Sequence, residues 1–155
     1  QPKISKYFNQ INNSAERLKI LLDDLLDLRK IDSGKIILDL DSVDIHNVIQ
    51  HCVDEQEALL LSRNLTITIN FPKPALTIVC DKNRIGQVVM NLLSNAIKFS
   101  PENGSILISG VLSSSGGTNN QTNDMFTFTI SDEGKGVPKE ERELIFNKFM
   151  RSFIL

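Results

Sequence analysis

The 155-residue sequence has no tryptophan, one tyrosine, two histidines and two cysteines. No apolar run approaches the ~18 residues that would read as a membrane span. The opening residues, Gln1 to Lys6, lack the apolar core of a secretion signal. An excess of one charge is lacking too: 17 Lys and Arg stand against 19 Asp and Glu, for a net charge of −2. That balance excludes a dedicated nucleic-acid binder, whose basic charge would be clustered. Cys52 and Cys80 stand far apart with no Cys-x-x-Cys or Cys/His spacing, so they read as reduced, buried thiols. The expectation is a cytoplasmic segment with no membrane contact. What is present is a 41% hydrophobic share, enough to build a core and too much for intrinsic disorder.

The first third reads as one long helix. Ile4, Phe8, Ile11, Ala15, Leu18, Leu22 and Leu25 recur at alternating steps of four and three, the seam of a helical bundle. Asp32, Ser33 and Gly34 end it, with Gly34 suited to the left-handed residue past a helix terminus. Such a seam calls for partner helices, so residues 1–34 are expected to be a dimerisation element. A helix lying on its own domain is the alternative.

Residues 35–155 alternate helices and strands. Lys35 to Leu40 reads as a short strand, and Asp44 as the cap of a helix burying Ile45, Val48, Ile49, Cys52 and Leu59. Leu65 to Phe71 and Leu76 to Cys80 read as strands joined through Pro72 and Pro74. Asp81 caps a helix whose inner face is expected to hold Ile85, Val88, Val89, Leu92, Ala96 and Phe99. Pro101 to Gly104 is a turn, Ser105 to Leu112 a strand, and Met125 to Ile130 its returning partner. Ser113 to Asp124, polar and almost uncharged, reads as a floppy hairpin loop without function of its own. Pro138 suits the first turn of a last short helix. The sum is an α/β two-layer sandwich preceded by a long helix.

Three stretches carry chemistry. In Asn91-Leu-Leu-Ser-Asn95-Ala-Ile-Lys98-Phe99, the residues Asn91, Asn95 and Lys98 fall at i, i+4 and i+7, along one helix edge. An Asn oxygen is a neutral hard ligand that suits Mg²⁺ carrying phosphate and water, and Lys98 offers a point charge for phosphates. A solvated polar edge would look the same. In Asp132-Glu-Gly134-Lys-Gly136-Val137-Pro138, a carboxylate at a strand end offers an acceptor for an exocyclic amine. Its two glycines let backbone approach a flat ring. An ordinary turn is the alternative, and the spacing fits neither a Walker loop nor GxGxxG. In Glu143-Leu-Ile-Phe146-Asn-Lys-Phe149-Met-Arg151, Phe146 and Phe149 share a helix face as packing aromatics.

Together, in this order, the three stretches resemble the N, G1 and F boxes of sensor histidine kinases, within the wider GHKL (Bergerat) fold shared with gyrase, Hsp90 chaperones and mismatch-repair ATPases. Leu21 to Gly34 resembles the end of the second dimerisation helix, and Asp81 to Gln87 the lead-in to the N box. The resemblance implies ATP and Mg²⁺ as cofactors, a homodimer, and a response-regulator receiver domain as partner. It implies Asn95 as the Mg²⁺ ligand, Lys98 as a phosphate contact and Asp132 as acceptor from the adenine amine. Gly134, Gly136 and Val137 would line the purine with Phe99 opposite, and Arg151 would lie near the terminal phosphate. Asn91 stands where ATPases of this fold carry a water-activating Glu. An amide has no useful basicity, which favours a kinase over a hydrolase.

The phosphoacceptor histidine of the family has no counterpart: neither His46 nor His51 is followed by an acidic residue. The glycine-rich G2 box and lid are likewise not seen before Leu155. The reading is therefore of a fragment, incomplete at the C-terminus, that supplies Mg-ATP for transfer to a histidine it does not contain. Its affinity is expected to suffer from the absent lid donors. The alternatives are a GHKL-family ATPase and a non-catalytic dimerisation or scaffold fragment.

Overall fold

A computed structural model of the chain describes residues 36–71, 76–116 and 122–146, together with residues 7, 8, 11, 12, 14, 15, 18, 19, 22, 25, 26 and 29–34. The chain divides into two compact units, Gln1–Leu38 and Asp39–Leu155.

In the first unit every described residue from 7 to 32 is helical. The amides of Ser33 and Gly34 donate to the carbonyls of Arg29 and Ile31, and Gly34 takes φ +62°, the left-handed stop its sequence position predicts. Phe8, Ile11, Leu18 and Leu22 of the seam are all more than half exposed. Ile4 lies outside the described residues.

The second unit begins with strand β1 (Asp41–Asp44), followed by helices α1 (Ile45–Glu55) and α2 (Glu57–Ser62). Strands β2 (Thr66–Asn70) and β3 (Thr77–Cys80) precede helix α3 (Lys82–Phe99), and strands β4 (Ser105–Gly116) and β5 (Thr122–Asp132) follow it. β1 pairs antiparallel with β3. β4 is central in the second sheet, parallel to β2 and antiparallel to β5, with Ile106 opposite Asp132. α1 and α3 lie on this sheet: Ile49, Val89, Leu93 and Ile97 from the helices are buried with Ile106 and Ile108 from β4. Each contributes about 1.5–3 kcal/mol on leaving water, so this one layer contact holds the unit together. Asp44 and Asp81 cap α1 and α3 as their sequence positions predict, accepting from the amides of His46 and of Asn83 and Arg84.

Several expectations are corrected. The first strand is Asp41–Asp44, and residues 36–40 form no strand. The helix after Asp44 breaks at Gln56, which resets the phase, so that Leu60 is buried and Leu59 exposed. On α3 the buried face is Val89, Leu93, Ala96 and Ile97, whereas Val88, Leu92 and Phe99 are exposed. The apolar stripe is wider than the face the sheet can cover, and its surplus borders the edge carrying Asn91, Asn95 and Lys98. The loop expected over 113–124 is shorter, because β4 runs to Gly116 and β5 starts at Thr122. Backbone pairing holds there in spite of the polar sequence; residues 117–121 lie outside the described set. After Pro138 there are two separate 3₁₀ turns, Lys139–Glu141 and Leu144–Phe146, in place of one helix, and Phe146 is 86% exposed rather than packed.

Gly110 in β4 leaves room for the stacked rings of Phe71 and Phe126, whose carbons occupy the place a Cβ would take. Cys52 and Cys80 are free and buried, and burial pushes both thiols up, helped by Glu55 beside the first and Asp81 beside the second. No described helix is long and apolar enough to cross a membrane.

Candidate functional site

The second half of α3 and the loop leaving β5 meet at one point. β4–β5 pairing carries the chain to Asp132, opposite Ile106, and the backbone then turns tightly. The turn is made by Asp132 itself, whose Oδ1 accepts from the amide of Gly134 at 2.7 Å. Gly134 abuts the end of α3: a Cβ there would lie 2.8 Å from the Phe99 carbonyl oxygen and 2.6 Å from Asp132 Oδ1. Only glycine permits this approach. Gly136 takes φ +72°, a second position that favours glycine.

Phe99 therefore stands beside the β5 exit loop, with Lys98 Nζ 4.7 Å from its ring centroid in a cation–π contact. Asn95 is one helical turn earlier, about 6 Å along the axis, and Asn91 one turn before that. Asn91, Asn95, Lys98, Phe99, Asp132 and Gly136 are exposed, and Gly134 and Val137 are half-buried. A neutral amide, an ammonium and a carboxylate thus open to solvent around one helix end, with an aromatic ring beside the ammonium. Arg151 and Phe149 lie outside the described residues.

The donor set fits a magnesium ion held mainly by a ligand. No group of three His, Cys, Asp or Glu side chains that could cage a metal exists among the described residues. Mg²⁺ keeps water and phosphate oxygens and needs few protein ligands, so one amide oxygen, that of Asn95, suits it. A cleft of about 400 Å³ lies at the opposite end of α3, lined by Asp39, Asp41, Asp44, Asn47, Asp81 and Lys82 among others. None of Asn91, Asn95, Lys98, Phe99 and Asp132 lines it, and Asp44 and Asp81 are engaged there as helix caps.

Two residues shape the site although the sequence pattern gives no sign of them. Glu133 turns away from the loop and accepts from the amide and hydroxyl of Ser105, at 3.0 and 2.8 Å, anchoring the loop to the start of β4. Arg63, at the end of α2, donates to the carbonyls of Ile97, Lys98 and Ser100.

The Ser105 donors hold the Glu133 carboxyl below its ordinary value of 4.5. A depressed carboxyl stabilises the fold above its unfolded pKa, and that contribution is lost as the pH falls through the folded value. Glu133→Gln is expected to lower the melting temperature at pH 7. The gap to wild type should close progressively below about pH 4.5, as thermal melts down to pH 3 would record. A gap that stays constant across that range would refute the anchor.

The mixed α/β unit thus sets a helix edge of neutral amides beside a glycine-containing loop that follows a strand-end carboxylate. Residues 80–153 match the family described as histidine kinase-, DNA gyrase B- and HSP90-like ATPases. The chain is 31% identical over 146 residues to the adaptive-response sensory kinase SasA of Prochlorococcus marinus (strain MIT 9215), covering 94% of this chain and 37% of that protein. Full-length ShkA, solved in complex with AMPPNP, superposes with a TM-score of 0.75 at 25% identity, covering 94% of this chain and 30% of that one. Histidine kinase ThkA, solved with the response regulator TrrA, gives a TM-score of 0.65 at 26% identity over 94% of this chain and 40% of that one. The chain is similar to the ATP-binding region of sensor histidine kinases over almost its whole length. It spans little more than a third of the SasA relative's length.

Proposed function

We propose that this chain binds Mg-ATP and, in the full-length protein, presents its γ-phosphoryl group to a histidine other than His46 and His51. The observation that carries this is the contact of Gly134 with the Phe99 carbonyl, which sets the Asp132 carboxylate beside the amide-and-lysine edge of α3. Asp132 accepts from the adenine amine, while Gly134, Gly136 and Val137 line one side of the purine and Phe99 the other. Lys98 meets the phosphates, and Asn91 and Asn95 border them, with Asn95 as the Mg²⁺ ligand. Bound Mg²⁺ would spread the phosphate charge and hold the terminal group in line.

Asn91 has no basicity to activate water, so the group is kept for a side-chain acceptor. His46 packs edge-on against Phe71, and His51 lies 3.7 Å from Glu55. Both have local roles that need no phosphate. The exposed seam of Phe8, Ile11, Leu18 and Leu22 supports a homodimer through the helical bundle. The TrrA complex of ThkA supports a response-regulator receiver domain as the onward partner.

Calorimetric titration with ATP and ADP, with and without Mg²⁺, tests the reading. Saturable binding of both, with ATP strengthened by Mg²⁺, is the expected result. A folded chain that binds neither nucleotide would refute it.

A further inference from the structure

We infer that Arg63 is a positioning residue of the nucleotide site, acting through the last turn of α3. This rests on the nucleotide reading above.

The final carbonyls of a helix have no partner within it and must find donors elsewhere. At the end of α3 the amide of Ser100 serves only the carbonyl of Ala96. The next free carbonyls, of Ile97 and Lys98, both receive Nη1 of Arg63, the second at 3.1 Å. Nη2 of the same guanidinium reaches the Ser100 carbonyl at 2.7 Å. One planar fork therefore gathers three carbonyls that flank Phe99 on both sides. The charge of Arg63 also complements the negative end of the helix.

Arg63 is itself held. Its carbonyl accepts from the amide of Asn103, and the amide of Thr66, three residues on, donates to the carbonyl of Gly104. The guanidinium is thus fixed against the turn that joins α3 to β4. At the same helix end, Gly134 lies so close to the Phe99 carbonyl that it leaves no space for a Cβ. Phe99 is caught between the fork and the loop. A small rotation of this turn moves the Phe99 ring, the Lys98 ammonium and the Gly134 backbone together, and with them the distance from Asp132 to the α3 edge.

Lysine cannot replace the fork, because one ammonium cannot reach three carbonyls in this planar arrangement. Methionine keeps the length of the side chain and removes every donor.

The test titrates wild type, Arg63→Met, Arg63→Lys and Ile49→Val with ADP and Mg²⁺ at a temperature where circular dichroism shows each folded. Ile49 is fully buried in the core and is none of the residues placed at the site, so it controls for lost stability. Arg63→Met is expected to weaken binding about tenfold and Arg63→Lys by less, while Ile49→Val binds as wild type. In ligand-free ¹⁵N spectra the amides of Phe99 and Gly134 should shift in both Arg63 variants and not in Ile49→Val. Should Arg63→Met fail to fold, Arg63→Lys carries the comparison. Wild-type affinity in the Arg63 variants, with unshifted amides, overturns the inference alone. A folded wild type that does not bind ADP overturns the nucleotide reading, and the inference with it.

Discussion

Asp132→Asn is expected to abolish measurable adenine-nucleotide binding while the chain stays folded. The carboxylate does two things at once. Oδ1 takes the Gly134 amide and so shapes the loop, and under the proposed function Oδ2 meets a donor on the ligand. In asparagine the remaining oxygen would be claimed by Gly134, and the new NH₂ group would face the adenine amine. Two donors then oppose each other where a charge-assisted hydrogen bond stood. Losing that bond costs about 1.5–3 kcal/mol, and the opposed donors add desolvation without return. The sum is a weakening on the order of a hundredfold or more. Titration calorimetry with ADP measures it, and circular dichroism confirms the fold. Unchanged affinity would remove Asp132 from the site.

The second large effect is expected at Gly134. A Cβ there would stand 2.6 Å from Asp132 Oδ1 and 2.8 Å from the Phe99 carbonyl oxygen, and one of the two is backbone. Gly134→Val adds three carbons where not even one fits. The loop must leave α3, or the last turn of α3 must yield. Overpacking of this kind costs about 3 kcal/mol. Moving the loop also separates Asp132 from Phe99 and Lys98, so nucleotide binding should fall along with the melting temperature. Thermal melts and an ADP titration on one sample report both. A Gly134→Val chain that melts and binds like wild type would show that the close approach is not needed.

Much of the fold could be read from local chemistry. Asp44 and Asp81 announce their helices because a carboxylate followed by apolar periodicity has few other uses. Gly34 marks its helix end, and Leu65 to Phe71 contains β2 because its alternation suits a half-buried strand. What could not be read locally is where long-range partners choose among near-equal options. The stripe on α3 is apolar over a broad arc, and only packing on Ile106 and Ile108 decides that Leu93 and Ile97 go inside while Leu92 and Phe99 remain out. The break at Gln56 and the pairing of Ser113 to Gly116 with Met125 to Thr122 have no strong local signal.

The site divides in the same way. Asn91, Asn95, Lys98 and the Asp132 loop are visible as motifs because the chemistry proposed for them asks for given residue types at fixed spacing. Arg63 is not, since the carbonyls it serves lie 34 to 37 positions further on. Any arginine at the end of a short helix looks like a solvated one. Glu133 hides inside the motif, where its neighbours Asp132 and Gly134 carry the pattern, and its partner Ser105 is 28 residues away.

The β4–β5 hairpin has two halves with different company. β2 supports β4 only from Ser105 to Ser109, and from Gly110 to Gly116 β4 has β5 alone for a backbone partner among the described residues. A lone two-stranded ribbon is marginal in water, so the outer half borrows its order from the inner half. Asp132 sits at the inner end, seven pairings from the Ser113–Met125 rung. Insertions, deletions or a grafted peptide at the outer end would therefore spend their strain in the ribbon before reaching the loop after Asp132. The hairpin is the part of this domain whose length can vary at least cost to the Asp132 loop, and its outer end is a natural attachment point for a reporter.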